Sequence, residues 1–277
     1  MDHKQQFEQQ LIELVEGLKE NISTDDGQWT VKGFVDIFKN VYTISSDTKI
    51  VSKILEIHLF PQILKFAKDH AYKVILAEHQ NYYPDISFVK SSDDKIRFAV
   101  DFKTTYRNPQ KLHLCNGFTL GSHGKYFEDR TSTKNIQFPY GSYAGHFCLG
   151  IIYNRVDGSS IDETKVHNIN ELQSITSVVS DFDFFVAEKW RIASDKGGSG
   201  NTANIGSINN IEDIKNGMGM FSKLGEDWFD DYWMNYRKIT IPDGSGKTKK
   251  ISTLEEFVKY RKGNLSLIVP KRNKAKE

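Results

Sequence analysis

The spacing of apolar residues changes from a helical period to a strand period near residue 72, and this change restricts the fold more than any other feature. Before it, the first segment repeats its apolar positions as one face of a helix does: Phe7, Leu11, Leu14, Val15 and Leu18. After it, short β-rich runs alternate with polar turns, at 72–77, 85–89, 96–102, 147–156 and 182–192. We therefore expect an α/β (α+β) fold, in which helices flank a mixed central β-sheet.

A second helix is predicted over residues 48–71, where Asp47 offers an N-cap side chain. Pro61 has no backbone N–H, so we expect it to kink or end this helix. The alternating region 29–44 can hold short strands, and further helices are predicted at 226–236 and 253–262. No repeat or linker divides the chain, which predicts a single domain over residues 1–277.

The composition excludes several classes of protein. The 277 residues are 38% hydrophobic and 26% charged, and no apolar run approaches the roughly 18 residues of a membrane span. The first residues have neither the basic nor the apolar part of an export signal. Cys115 and Cys148 are too few for a disulfide scaffold and lack the CxxC spacing of a zinc site. We expect a cytoplasmic protein in which any metal is held by carboxylate oxygen.

The charge is distributed unevenly although the net charge is only +1. From residue 237 to the end, twelve Lys and Arg face four Asp and Glu, a net of +8, whereas the preceding residues have 25 against 32, a net of −7. A local basic segment suits a polyanion such as DNA. A solvated tail is the alternative interpretation of the last seven residues.

Three charged residues fall on two predicted neighbouring strands. Asp85 opens one strand, and Asp101 and Lys103 close the next. Side chains two apart share a face of a strand, so Asp101 and Lys103 point the same way and Phe102 points to the core. A hairpin through residues 91–95 brings Asp85 beside Asp101.

Two carboxylates held together repel each other unless a cation lies between them. Mg²⁺ is usually held in this way, by one or two carboxylates together with water and phosphate. A nearby ammonium such as that of Lys103 stabilises negative charge on a phosphate. The pattern therefore indicates phosphodiester hydrolysis, with Asp85 and Asp101 as metal ligands and Glu56 of the preceding helix as a third candidate carboxylate.

Each of these residues also has a plainer interpretation. Asp85 and Asp101 can belong to a turn and a surface strand, and Glu56 can lie on the solvent-exposed face of its helix. Asp47 and Lys49 can serve only as helix-terminal residues. The glycine-rich segment 197–204 can be a flexible surface turn.

Four segments carry a resemblance to a known family: Ser46 to Lys49, Asn81 to Asp85, Ala99 to Tyr106 and Gly198 to Ser207. With further runs between them, up to Asp231–Tyr236, the chain resembles the EcoRV family of type II restriction endonucleases from about residue 46 to about residue 236. This likeness covers much of the chain in one order, so it is more specific than the short acidic pattern.

The resemblance implies a homodimeric, Mg²⁺-dependent bacterial enzyme that makes a blunt cut at a six-base palindrome in duplex DNA, with GATATC as the expected target. Water would attack the phosphorus in line and leave 5′-phosphate and 3′-hydroxyl ends. Asp85, Asp101 and Lys103 would be catalytic together with Glu56. The DNA-binding residues implied are Gly198, Gly200, Asn201, Thr202, Asn204, Gln80, Asn81, Lys49, Thr105, Lys134 and Lys238. A partner methyltransferase is implied as well.

The resemblance also assigns parts of the chain to roles. A helical N-terminal part at about 1–45 would contribute to dimerisation, the catalytic core would span about 46–195, and DNA recognition and the C-terminal part would span about 196–277. His79 and Ala203 depart from the family pattern, which has Gln and Thr there, so an identical target is in question.

Three other functions remain open from the sequence. A structure-specific repair or resolvase nuclease on the same fold would cut by DNA shape. A non-catalytic DNA-binding protein would bind without cutting, although Asp85, Asp101 and Lys103 argue against it. A phosphodiesterase for small nucleotides would not need the basic C-terminal segment.

Overall fold

Six α-helices and fourteen β-strands are present in the part of the chain that the computed structural model describes. That part comprises residues 2–79, 81–156, 161–198, 203–243 and 247–272. The helices are α1 (His3–Ile22), α2 (Thr48–Asp69), α3 (Lys125–Glu128), α4 (Ile211–Lys215), α5 (Glu226–Met234) and α6 (Leu254–Tyr260). The strands are β1 (Gly33–Val35), β2 (Asn40–Thr43), β3 (Tyr72–Leu76), β4 (Ile86–Lys90), β5 (Arg97–Asn108), β6 (Lys111–Cys115), β7 (Thr119–Ser122), β8 (Gly145–Arg155), β9 (Val166–Asn168), β10 (Val179–Glu188), β11 (Ala193–Gly197), β12 (Asn204–Ser207), β13 (Thr240–Pro242) and β14 (Thr248–Lys250).

A mixed sheet lies at the centre of the fold, which confirms the predicted fold class. Its strand order is β10-β8-β5-β4-β3, and β6 pairs with β5 outside this path. β5 and β8 are parallel, whereas the other neighbours are antiparallel. The predicted hairpin joins β4 to β5 in regular register, with Ile86 opposite Val100 and Val89 opposite Arg97. The residue before β4 therefore lies beside the middle of β5.

Both long helices begin at capped residues. The side chain of Asp2 accepts a hydrogen bond from the backbone N–H of Gln5 at the start of α1. Asp47 accepts from the backbone N–H groups of Lys49 and Ile50 at the start of α2. These acceptors satisfy N–H groups that have no partner within the helix, and the predicted N-cap of α2 is confirmed.

Of the two expected effects of Pro61, a kink or an end of the helix, the end does not occur, because α2 continues to Asp69. Leu59 and Ile63, on either side of Pro61 in the sequence, are both fully buried. Packing of this apolar face on the sheet outweighs the one backbone hydrogen bond that proline cannot donate. The stability of α2 is therefore tertiary rather than local.

The central sheet separates two apolar cores. Phe98, Val100 and Phe102 of β5 belong to the core that contains the buried faces of α1 and α2. Ala99 belongs to the other core, with residues from β8, α5 and α6. Side chains alternate along a strand, so Asp101 shares the face of Ala99. The charged residues of β5 thus point away from the two long helices.

Three smaller sheets lie outside the central one, with strand orders β1-β2-β9, β11-β12-β7 and β13-β14. The first contains strands predicted in region 29–44, whereas the strands of the other two were not predicted. The strand predicted over 182–192 is shorter than expected: β10 ends at Glu188, and a 3-10 helix, Lys189–Ile192, follows. Among the described residues, no helix is long and apolar enough to cross a membrane.

Candidate active site

Asp85 and Asp101 lie side by side at the junction of β4 and β5. The backbone N–H of Asp85 donates a hydrogen bond to Oδ1 of Asp101 at 3.1 Å. The backbone N–H of Phe102 donates to Oδ2 of Asp85 at 2.8 Å. Lys103 completes the group, with Nζ 2.9 Å from Oδ2 of Asp101. The structure therefore brings together the three residues that the sequence singled out.

The β4–β5 ladder produces this arrangement. Ile86 pairs with Val100, so the next position places Asp85 against Asp101. Phe102 is only 7% exposed and lies in the core, so its two neighbours, Asp101 and Lys103, project to the opposite face. Regular alternation alone fixes which face carries the charges.

The two carboxylates of Asp85 and Asp101 carry more negative charge than the single ammonium of Lys103 can neutralise. Burial is the largest cause that raises the pKa of Asp85 to about 7, and the charge of Asp101 adds to this rise, while Lys103 opposes it. Burial alone would lower the pKa of Lys103, but Asp101 and Asp85 outweigh it and raise that pKa above its ordinary value. Lys103 is therefore an ammonium at neutral pH.

The donor set fits a divalent cation that keeps part of its shell for water and phosphate. Asp85 and Asp101 offer hard oxygen atoms whose mutual repulsion a cation would relieve. Within the described ranges, no group of three or more His, Cys, Asp and Glu side chains could hold a metal ion by itself. The oxygen ligands present suit Mg²⁺ better than a metal that requires sulfur or imidazole.

Glu56 of α2 is near enough for its charge to contribute to the raised pKa of Asp85. Its carboxylate pairs with Lys53 at 2.8 Å, and its side chain is 26% exposed. Its roles as a catalytic residue and as a metal ligand both stay predictions.

A buried aromatic cluster lies behind Asp85, and the sequence did not predict it. Tyr83 and Nδ1 of His146 share a hydrogen bond of 2.9 Å, and Tyr140 stacks on His146 with ring centres 3.7 Å apart. Lys189 is 2% exposed, and its Nζ lies 4.8 Å from the centre of the Tyr83 ring. Burial lowers the pKa of Lys189 to about 8. These residues are distant in sequence, so no local spacing could have revealed the cluster.

The described residues of the glycine-rich segment include the end of β11, at Gly197, and the start of β12, at Asn204. The backbone N–H of Gly198 donates to the carbonyl of Asn204 at 2.8 Å and so closes the base of the loop. A Cβ atom at Gly198 would lie 2.8 Å from Cγ2 of Thr119 in β7, so this close approach requires glycine. Outside the described residues lie three predicted DNA contacts: Gly200, Asn201 and Thr202.

Two predicted DNA contacts, Lys49 and Lys134, are exposed, as is Asn81 in the predicted minor-groove loop. Gln80 of that loop lies outside the described residues. Exposed lysines can approach a DNA backbone without breaking an interaction of the fold.

Two other predicted contacts have partners within the protein. Nζ of Lys238 pairs with Glu128 on the surface. Thr105 is 4% exposed, and its hydroxyl donates to the carbonyl of Asn116 at 2.6 Å. Contact with DNA would require both side chains to exchange partners.

All the residues predicted to be catalytic or to bind DNA fall within one stretch that matches a known family. The model of the family described as "Restriction endonuclease EcoRV" matches residues 25–262. The chain belongs to this family. EcoRV-like restriction endonucleases are metal-dependent nucleases that act on DNA.

A curated relative agrees with the family match. The type II restriction enzyme EcoRV of Escherichia coli is 39% identical over 222 residues, which cover 79% of this chain and 88% of that enzyme. Among solved structures, the NlaIV restriction endonuclease aligns with a TM-score of 0.42 and 13% identity, over 72% of this chain and 66% of that one. The sequence relationship confirms that the chain is a type II site-specific deoxyribonuclease.

Proposed function

We propose that this EcoRV-family enzyme uses Mg²⁺ to cut duplex DNA at GATATC, with a blunt cut that leaves 5′-phosphate ends. The observation that carries the catalytic part is the convergence of Asp85, Asp101 and Lys103 on one face of the central sheet. The likeness of segment 198–207 to the family pattern supports the target. The departures at His79 and Ala203 lie in the two loops proposed to contact DNA, so a target that differs from GATATC at one base is the alternative that the panel below tests.

Asp85 and Asp101 are the residues that would hold Mg²⁺, with Glu56 as a further acidic group. When bound, Mg²⁺ supplies positive charge against the scissile phosphate and lowers the pKa of a water molecule. The backbone N–H of Phe102 fixes the Asp85 carboxylate, and the backbone N–H of Asp85 fixes that of Asp101. The strand pair thus holds both carboxylates in place before DNA binds.

Lys103 supplies the positive charge of the protein itself. Its ammonium is held 2.9 Å from Asp101 and stays protonated at neutral pH. It can therefore stabilise the negative charge that develops when water attacks the phosphorus in line. The bond to the 3′-oxygen breaks, so the products are a 3′-hydroxyl and a 5′-phosphate.

Recognition would come from loop 198–204 in the major groove and from Gln80 and Asn81 in the minor groove. Gly198 and Gly200 allow the backbone to approach the base edges closely. Asn201 can form two hydrogen bonds with an adenine edge, and the Thr202 methyl group can meet a thymine methyl. Lys49, Thr105, Lys134, Asn204 and Lys238 are proposed as further contacts to the DNA.

The enzyme would act as a homodimer, because a two-fold protein places one active site on each strand of a palindrome. An exposed apolar patch on the β1–β2 hairpin supports a second copy as its occupant. Its members are 45–90% exposed: Phe34, Val35, Ile37, Phe38 and Tyr42. Sedimentation should show a dimer for the wild-type protein and a monomer for Phe38→Asp. A wild-type monomer would contradict this proposal.

A cytoplasmic location and a partner methyltransferase follow from the same function. The enzyme must reach incoming DNA, and it would also cut the DNA of its own bacterium unless that DNA were modified at the same site. A methyltransferase for this site is therefore the proposed functional partner.

Cleavage of a panel of DNA substrates tests the target and the reaction class together. The panel contains a linear duplex with GATATC, its one-base variants and a four-way junction, each with and without Mg²⁺. We expect blunt cutting of the GATATC duplex only, and only with Mg²⁺. Preference for the junction would favour a structure-specific nuclease, and tight binding without cutting would favour a non-catalytic protein.

A further inference from the structure

The last described residues bind to the strand that leads into the recognition loop. We call residues 268–272 the C-terminal strap. Nζ of Lys271 lies 2.8 Å from Oδ1 of Asp195, and Nη1 of Arg272 lies 3.4 Å from Oδ1 of Asp213. Both carboxylates are buried, with side chains 9% and 7% exposed. The strap lies beyond the residues that match the family model.

The strap is also anchored by apolar packing. Val269 is 7% exposed, and its backbone N–H donates to the carbonyl of Met220 at 3.3 Å. Ile268 packs against the core that contains α5 and α6. The segment that forms the two ion pairs is therefore anchored to the core and is not a loose tail.

Asp195 lies where β11 is not held by its partner strand. Ala193 pairs with Ser207, and Gly197 pairs with Ile205, but the register shifts between these pairs. Residues 194–196 therefore leave the regular ladder, as in a β-bulge. Contacts other than ladder hydrogen bonds must therefore hold residues 194–196 in place.

The side chain and backbone of Asp195 supply those contacts. Its Oδ2 accepts from the backbone N–H of Leu254 at 3.3 Å, and its carbonyl accepts from the hydroxyl of Tyr232 at 2.6 Å. Its Oδ1 accepts a hydrogen bond from Nζ of Lys271 in the C-terminal strap. Asp195 is three residues before Gly198, whose N–H closes the loop. A shift at Asp195 would therefore move the base of the loop.

We propose that the C-terminal strap sets the sequence discrimination of the enzyme, with Lys271 as a positioning residue that acts through Asp195 on the recognition loop. This inference rests on the proposed role of loop 198–204 in reading DNA. Without Lys271, a buried carboxylate loses its cation, so segment 194–196 shifts to expose it to water. Base-edge hydrogen bonds need atoms placed within about 0.5 Å, so a displaced loop discriminates less well. The catalytic group on β4 and β5 lies in another sheet.

The test compares kcat and KM on the GATATC duplex and on its one-base variants for Lys271→Met. Methionine keeps the length and apolar contacts of the stem and removes the charge. We expect the ratio of kcat/KM between GATATC and the variants to fall roughly tenfold, while kcat on GATATC falls less than this ratio does. Lys271→Arg keeps the cation and should restore the wild-type ratio.

Two further variants distinguish the proposed role of the C-terminal strap from a general loss of positive charge. Lys259→Met makes the same charge change at an exposed residue of α6 and should leave the ratio unchanged. Asp195→Asn keeps an oxygen acceptor for Leu254, and combined with Lys271→Met it should lower the ratio no further than the single changes do.

An unchanged ratio in Lys271→Met overturns the inference, as does an equal fall in Lys259→Met, which would indicate loss of DNA attraction alone. A wild-type enzyme with no preference among the duplexes would instead contradict the proposed function. A strong preference that survives Lys271→Met would contradict only the role of the strap. Thermal unfolding of Lys271→Met, Lys271→Arg and Asp195→Asn shows whether the folded state is retained in these variants.

Discussion

The two hairpins that carry the enzyme's chemistry and its specificity are built differently. The β4–β5 hairpin has an unbroken register, and Asp101 at its functional end is 5% exposed. The β11–β12 hairpin has a register shift, and Gly198, directly after β11, packs closely against Thr119 of β7. The first hairpin is held by its own ladder, and the second by contacts with α6, β7 and the C-terminal strap.

This difference indicates how substitutions should affect hydrolysis on the one hand and sequence recognition on the other. Charged groups for hydrolysis must be fixed at short distances before the substrate arrives, and a regular ladder within a core does this. A reading loop must approach base edges closely and can be retuned by few substitutions. We therefore expect changes in the first hairpin to affect rate and changes in the second to affect choice of sequence.

Asp101→Ala should have the largest effect. It removes a proposed metal ligand, the acceptor for the Asp85 N–H and the partner of Lys103, so single-turnover cleavage should fall by roughly 10⁴-fold or more. DNA binding in a metal-free gel shift should persist. Asp94→Ala, in the exposed turn of the same hairpin, is the control and should cut normally. Retained cleavage in Asp101→Ala would remove the metal-ligand assignment.

Lys103→Ala should lower turnover by roughly 10²- to 10⁴-fold, because the ammonium acts on charge that develops during the reaction. The dissociation constant for GATATC DNA should change by only a few-fold. Lys95→Ala, an exposed lysine before β5, gives the matched loss of charge. A loss of affinity as large as the loss of turnover would show that Lys103 only binds DNA.

Asn201→Ala should change sequence preference more than rate, since this residue belongs to the proposed recognition loop. Loss of a bidentate contact with a base costs about 1–3 kcal/mol of discrimination, which corresponds to roughly tenfold to hundredfold less preference for GATATC over one-base variants. Competition cleavage of paired duplexes measures this preference. If the preference does not change, the loop does not read DNA through Asn201.

The last expected effect is on stability rather than on cleavage, and it is that of Asp85→Asn in the absence of metal. The pKa of Asp85 is raised from 3.8 to about 7 in the folded protein, so its ionised form destabilises the fold above pH 7. That cost disappears as the pH falls from 7 towards 3.8. Asparagine keeps an acceptor for the Phe102 N–H without the charge.

We therefore expect Asp85→Asn to raise the free energy of unfolding at pH 8 by up to roughly 4 kcal/mol, with the difference shrinking towards pH 4. Chemical denaturation in a chelator measures both values. Asp94→Asn, which is exposed, should show no such difference. A variant less stable than the wild type at pH 8 would show that the carboxylate pair is not under electrostatic strain.

The catalytic hairpin could be predicted from the sequence because period-two alternation decides which side chains share a face. Asp101 and Lys103 were placed correctly from their spacing, and Asp85 from the hairpin turn alone. The helices α1, α2, α5 and α6 followed in the same way from apolar spacing and capping residues.

The features of the fold and of the site that the sequence did not predict depend on contacts between residues distant in the chain. The path of α2 through Pro61 reflects burial of Leu59 and Ile63, which local propensity does not report. Lys189 is enclosed by aromatic rings from other segments, and no local pattern marks it. The ion pair between Asp195 and Lys271 joins residues 76 apart. Such features require the fold to be known.

Digestion of a sequenced plasmid with Mg²⁺, followed by sequencing of the fragment ends, tests the central claim most directly. The account predicts a few discrete fragments with blunt 5′-phosphate ends at GATATC from the wild-type enzyme, and intact plasmid from Asp101→Ala. Ends at unrelated sequences, or equal cutting by Asp101→Ala, would contradict a site-specific reaction carried by Asp85, Asp101 and Lys103.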